Sequence, residues 1–447
     1  MANVNILSFG AKGDGATTCT KSIQAAIDEC AATGGGTVNV PPGTYRTGTL
    51  YLRSHVELHL EHAATIVGSP DLADYNPPDA YPQNFGCPVS EGWNTCHLII
   101  AVGLEDVSIS GSGTIDGNGR AFFSPPEKAG TGYEIAWRNG CINTADRANA
   151  ARPGQVAVFV ECRDVSVTGV SFVDMTCWAL FFHGCVRVRV RGLSIRCDDR
   201  HVNTDGVDID CCRHVVVSDC VIDTGDDAIT LRGDCGHLGD PARVCEDIAV
   251  TNCVAHTQAC GIHVGVGTGT IRDAVISNLV LCDSAFGVQI QCSYGNATTK
   301  GVDISGIRFE NIVCRRTAIP MRIYSGTSHA TAHLKDITFA HCTFEGFLGS
   351  EIVGNDFMRP SDIRLCDVDF IACPPDVPLV KTKLPESLIR IHGADRIAFD
   401  GVRARFAPGV AERPALALGD VGGTPPVIDG HAAVPLGEGS RKSFLSK

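Results

Sequence analysis

Cys162-Arg163-Asp164-Val165-Ser166-Val167 returns as Cys185-Val186-Arg187-Val188-Arg189-Val190 and again as Cys212-Arg213-His214-Val215-Val216-Val217. Each copy is a cysteine, two variable residues, then two apolar side chains one apart. The alternation begins earlier, at Val107-Ser108-Ile109, and runs on through Ile248-Ala249-Val250, Ala274-Val275-Ile276 and Val302-Asp303-Ile304. It then continues at Ile337-Thr338-Phe339, Ile363-Arg364-Leu365 and Ile397-Ala398-Phe399. From Val165 onward the copies start 23, 27, 33, 26, 28, 35, 26 and 34 residues apart. Self-similarity at that period marks a solenoid. Period-two alternation, β-branched residues and Gly/Asn/Asp turns make each repeat a set of short strands. Leucine-rich horseshoes, helical repeats and propeller blades need a leucine consensus, a 3.6 period or about 40 residues per copy. A parallel β-helix is what remains: all-β, about ten coils.

The rest of the chain fits around these coils as one domain, 1–447. Residues 1–50 read as an N-terminal cap and the first strands. Ile23, Ala26, Ile27 and Cys30 share a helical face, Thr20 or Ser22 can cap it, and Gly34-Gly35-Gly36 stops it. Such a helix suits the exposed end of a solenoid, whose apolar interior has to be covered. Two stretches, 70–96 and 122–153, interrupt the repeat and are expected as loops on a binding face. Residues 407–447 read as an irregular tail.

Composition narrows the function. Hydrophobic residues make up 44% and charged residues 19% of 447, a balance that fills a core. Lys+Arg 37 against Asp+Glu 50 leaves −13, which argues against nucleic acid or an anionic membrane as the partner. No run approaches the roughly 18 apolar residues that span a bilayer. Met1-Ala2-Asn3-Val4-Asn5-Ile6 lacks a basic segment followed by an apolar one. A cytoplasmic location is therefore expected, or a secreted one if a leader has been removed. The 22 cysteines form no paired CxxC motif and read mostly as reduced, small, buried residues.

Two acidic motifs carry the chemistry. Asn203-Thr204-Asp205-Gly206 and Gly225-Asp226-Asp227 stand 21 residues apart, Asp205 to Asp226, about one coil. Either alone is an ordinary turn cluster. Together, at one-coil spacing, they bring three carboxylates side by side. Three such acids repel, so one holds its proton near neutral pH. Glycoside hydrolysis needs that arrangement: one acid protonates the leaving oxygen while a carboxylate activates water. Asp226 and Asp227 converge only if Gly225 allows a bend, since neighbours on a straight strand point opposite ways. A calcium site at Asp205, Asp208 and Asp210 lacks the expected loop pattern, and no metal or cofactor is expected.

In a β-helix these motifs resemble glycoside hydrolase family 28, the polygalacturonase or pectinase family. Phe9-Gly10-Ala11-Lys12-Gly13-Asp14-Gly15, Val40-Pro41-Pro42-Gly43-Thr44-Tyr45 and Gly113-Thr114-Ile115-Asp116-Gly117-Asn118-Gly119 look like its N-terminal landmarks. The first two of these segments also occur in other β-helix carbohydrate enzymes. The resemblance implies a right-handed coil, Asp226 as general acid, and Asp205 with Asp227 as the pair that activates water in an inverting reaction. The chain departs from the family twice. Cys260 stands where the family's Gly-His-Gly has its histidine, and Gln289-Ile290-Gln291 stands where Arg-Ile-Lys is expected. That basic pair is the family's clamp on a galacturonate carboxylate, and glutamine offers only neutral hydrogen bonds.

Alternation then sets out the substrate residues. With Ile229 and Leu231 inward, Thr230 and Arg232 face out, followed on successive coils by His263, Gln289 with Gln291, and Arg322 with Tyr324. Asn203 joins them from the first motif. This polar ladder reads either as a sugar pocket or as a solvated sheet face. His263, with His256 nearby, is the candidate to replace the missing histidine, and Cys260 reads as a small residue at the core edge. The expected function is an inverting, exo-acting glycosidase on pectin-related or other plant-derived oligosaccharides, not on plain polygalacturonate. The alternatives are an exo-polygalacturonase or galacturonidase and, in other classes, a β-helix polysaccharide lyase or a non-catalytic carbohydrate-binding protein. A lyase needs a basic Brønsted residue and usually calcium. A mere binder has no reason to keep three mutually repelling acids.

Overall fold

The computed structural model describes residues 2–84, 94–124, 152–198, 200–293, 300–326, 331–375 and 384–437, with backbone alone at 124, 133–135, 143–145 and 147–148. Its contacts group into two compact units. The first holds residues 1–133, 144–226 and 236–241, the second 134–143, 227–235 and 242–447. Of the stretches read as binding-face loops, residues 85–93 of 70–96 and most of 122–153 lie outside the described residues.

In the first unit three parallel ladders climb coil by coil. One runs through Gly36–Val40, Val56–Leu60, Glu105–Gly111, Arg163–Thr168, Val186–Arg191 and Arg213–Ser218. Register places Val38, Leu58, Ile109, Val167, Val190 and Val217 in one line, and all six are fully buried. Each such side chain contributes about 1.5–3 kcal/mol of burial, upper bounds because the unfolded chain is itself partly compact. A second ladder stacks Tyr45, Ile66, Ile115, Phe172, Ile195 and Ile222. The third stacks Leu50, Ile99, Ala157, Leu180 and Val207, and beside them Phe159 lies on Phe182 at 5.1 Å.

The helix forms at Thr20–Ala32, with Ile23, Ala26, Ile27 and Cys30 buried against the first strands. Its capping differs from expectation. Cys19 is the N-cap, and Thr20 is already helical, with its hydroxyl accepting the Gly48 N–H at 2.8 Å. Among the described residues no helix is long and apolar enough to cross a membrane.

The second unit repeats the plan. Val250, Ile276, Phe309, Phe339, Leu365 and Phe399 share one line, with Phe309 on Phe339 at 4.5 Å. Here one copy sits elsewhere than expected. Ile307-Arg308-Phe309, not Val302-Asp303-Ile304, pairs with the neighbouring copies. The long strand Asp303–Thr317 carries apolar alternation on both sides of Gly306, whose φ of 69° bends the chain between them. A further ladder runs through Ile229–Gly233, Cys260–Gly267, Phe286–Gln291, Ile319–Tyr324, Ser350–Val353 and Ile389–His392. Within 407–447, read as an irregular tail, Leu416–Leu418 and Val434–Pro435 continue this ladder.

All twenty cysteines among the described residues are free thiols, and all but Cys282 and Cys366 are buried. In the first unit Cys162, Cys185 and Cys212 recur at one corner. The Cys185 thiol donates to the Phe159 carbonyl at 3.2 Å, and the Cys212 thiol to that of Phe182 at 3.3 Å. A buried thiol is thus a small apolar body with a weak donor, which suits a tight corner.

Candidate active site

In the first unit the two acidic motifs are hydrogen-bonded to each other. Asn203 takes a left-handed backbone (φ 56°), which asparagine tolerates, and its N–H donates to Asp226 Oδ2 at 3.1 Å. Thr204 is fully buried: its hydroxyl donates to the His201 carbonyl at 2.7 Å and accepts the Gly225 N–H at 3.1 Å. Gly225 is required by close approach rather than by an unusual φ, since a Cβ there would sit 2.1 Å from the His201 carbonyl oxygen. Asp205 is 5% exposed, and its carbonyl accepts the Ala179 N–H at 2.8 Å.

Arg152 completes this half. It is fully buried, donates to Asn203 Oδ1 at 2.9 Å and to the Thr176 carbonyl, and its guanidinium lies 5.1 Å from the Phe123 ring centre. The Asn203 side chain, expected to touch substrate, is therefore engaged by an internal anchor. No repeat pattern pointed to Arg152, which lies in the irregular stretch.

In the second unit Asp227 accepts hydrogen bonds from Cys260 and His263. The Cys260 backbone N–H donates to Oδ1 at 3.0 Å, and His263 Nδ1 lies 2.6 Å from Oδ2. Burial alone would raise this carboxyl's pKa. The His263 ring beside it and the hydrogen bonds from His263 and Cys260 outweigh that, so Asp227 titrates below the ordinary carboxylate value. Cys260 meets Asp227 through its backbone and through its thiol, and it belongs to a buried cluster with Ala285, Phe286 and Ile319.

Most of the expected ladder is in register: Thr230, His263, Gln289 and Arg322 align, as do Gln291 and Tyr324, while Arg232 falls at a register shift. Yet it is not a solvated face, because His263, Gln289, Arg322 and Tyr324 are all buried. Arg322 donates to Gln289 Oε1 at 3.0 Å and to Glu351 at 2.9 Å, and covers the Tyr324 ring at 4.4 Å. Arg390 donates to the other oxygen of Glu351, which is fully buried. Gln291 donates to the Ser293 carbonyl at 2.8 Å, and Arg232 sits half-buried on the first strand of the ladder. Sequence reasoning missed Glu351 and Arg390. The same alternation, carried two coils further through Ser350-Glu351-Ile352 and Ile389-Arg390-Ile391, leads to both.

Among the described residues, one side-chain group lying wholly within each unit has metal-binding composition. Asp174, Cys197 and His201 in the first unit, and Asp227, Cys260 and His263 in the second, each place ligand atoms within 4.8 Å. Burial pushes the Cys197 thiol up to about 12, so it is a protonated, poor ligand near neutral pH. In the other group His263 Nδ1 already faces Asp227.

The family model described as "Glycosyl hydrolases family 28" matches residues 30–355. The chain belongs to that family. This family 28 protein is 29% identical over 344 residues to the exo-poly-alpha-D-galacturonosidase of Dickeya chrysanthemi, covering 70% of this chain and 55% of that one. It spans little more than half the length of the curated relatives it resembles in this way. Among solved structures it superposes on the family 28 exopolygalacturonase of Yersinia enterocolitica with a TM-score of 0.73 at 20% identity, over 94% of this chain and 77% of the other. The exopolygalacturonase of Thermotoga maritima gives 0.67 at 22% identity, over 90% and 92%. At such identities the likeness carries the fold, a right-handed parallel β-helix.

Proposed function

We propose that this family 28 protein is an inverting, exo-acting glycosidase on pectin-related oligosaccharides. Asp226 protonates the leaving oxygen, while Asp205 and Asp227 activate the attacking water. The observation that carries this reading is the unlike setting of two consecutive acids. Asp227 accepts from Cys260 and His263 and is held ionised, as a base must be, while Asp226 turns to the Asn203 N–H. Adjacent acids in unlike surroundings are how one site supplies both an acid and a base. A single displacement by water predicts that an α-linked substrate first releases the β-anomer. Proton NMR in the first minutes, before mutarotation, reads this directly. Release of the α-anomer would require a covalent intermediate and remove the role given to Asp205 and Asp227.

For the sugar beside the scissile bond we favour a neutral or deoxy residue, or a mixed rhamnose–uronate linkage. Gln289 carries no charge to clamp a uronate, and Arg322 is already paired with Glu351. The second reading, an exo-galacturonidase on oligogalacturonides, draws on the names of the Dickeya and Yersinia relatives.

A further inference from the structure

The side chain of Gln289 lies between two partners that ask opposite things of it. On one side is Arg322, whose guanidinium has donors only and lies 3.0 Å from Gln289 Oε1. On the other is His263 Nε2, a long 3.5 Å from Gln289 Nε2. Arg322 is itself locked by the buried Glu351, and Glu351 by Arg390. A guanidinium will not accept a hydrogen bond, so the amide oxygen must face Arg322 and the amide N–H must face His263. A donor aimed at His263 Nε2 requires a lone pair there. The ring proton then sits on Nδ1, where it is donated to Asp227 Oδ2 at 2.6 Å.

We infer that Gln289 is a positioning residue: with Arg322 behind it, it fixes His263 as the Nδ1–H tautomer and so keeps Asp227 an ionised base. This rests on the catalytic role proposed for Asp227. Four residues on consecutive rungs thereby pass a hydrogen-bond polarity inward, Glu351 to Arg322 to Gln289 to His263, in the register that the parallel ladder imposes. It also accounts for the glutamine. An arginine at 289 would set its guanidinium beside that of Arg322, and could not accept from it. The residue that fits is neutral, with an acceptor at one end and a donor at the other.

The test is nitrogen NMR on the full chain labelled at histidine, with His263 assigned as the resonance pair lost in His263→Asn. The expected wild-type pattern is a protonated Nδ1 and a bare Nε2. Gln289→Leu removes the donor, and both tautomers should then be populated. Gln289→Glu turns an acceptor toward Nε2 and should bring a proton onto that nitrogen. Turnover should fall about 10- to 100-fold in Gln289→Leu with KM changed less than threefold, since the base rather than the sugar contact is disturbed. A bare Nδ1 in the wild type, or an unaltered pattern in both folded variants, overturns the inference. So does an altered pattern with unchanged kcat, or a loss confined to KM. The NMR pattern needs no substrate, so it stands or falls separately from the glycosidase reading, which the anomer experiment tests.

Discussion

At the residue scale, the two consecutive acids should respond differently to change. Asp226→Asn keeps an oxygen for the Asn203 N–H, so the fold should persist while turnover drops by ~10³-fold or more, because the proton for the leaving group is gone. Near wild-type kcat on the best substrate would remove the mechanism. Asp227 titrates below the ordinary carboxylate value despite its burial. Its ionised form therefore stabilises the fold above the ordinary value, and that contribution is lost as pH falls through the lowered one. The acid limb of kcat/KM should lie in the same low window. In His263→Leu one hydrogen bond goes and burial remains, so the acid limb should move to higher pH; a profile unmoved by this change would mean that another group sets it. Alternation along the strand made His263, Gln289 and Arg322 legible in the sequence, but not their burial, which depends on what lies over the sheet face. Arg152 was not legible at all: no periodicity marks a lone arginine in an irregular stretch.

At the level of the element, one turn decides whether the two motifs meet. Gly225 lies against the His201 carbonyl, and a Cβ at 2.1 Å from that oxygen has no room while the Thr204–Gly225 hydrogen bond persists. Gly225→Ala should cost about 1–3 kcal/mol, in the range of overpacking changes, and should disturb Asp226 out of proportion to the lost stability. Denaturant melts beside single-turnover rates would show it; a variant as stable and as fast as the wild type would mean that the bend is not needed. The repeated strands were readable because inward positions recur at period two and turns are marked by glycine, asparagine and aspartate. Copies with residues such as Arg187 and His214 in a left-handed backbone, just before the alternation, hide that corner from a residue-type rule that succeeds at Asp164. The copy at 302–304 was misplaced for a related reason. Alternation resumes on both sides of Gly306, and only the pairing of Phe309 with Ile276 and Phe339 tells which side is the equivalent one.

On the scale of the whole molecule, a solenoid is legible because each coil answers mainly to its neighbours, so a repeat in sequence becomes a ladder in space. Specificity does not follow from that logic, since it depends on which outward groups still have hydrogen bonds to give. Two of the candidates for holding a uronate are spoken for: Gln289 by Arg322 and His263, and Arg322 by Glu351. Burying a substrate carboxylate without a cationic partner costs several kcal/mol. With Gln289 and Arg322 engaged in this way, the site should disfavour galacturonate at the cleaved position. We expect kcat/KM on neutral or rhamnose-containing oligosaccharides to exceed that on oligogalacturonides of equal length. If oligogalacturonides win by tenfold or more, a cation must reach the sugar carboxylate after all. Arg322 would then have to exchange its Glu351 contact for substrate, and Arg322→Ala, rather than a change at either glutamine, should abolish the preference.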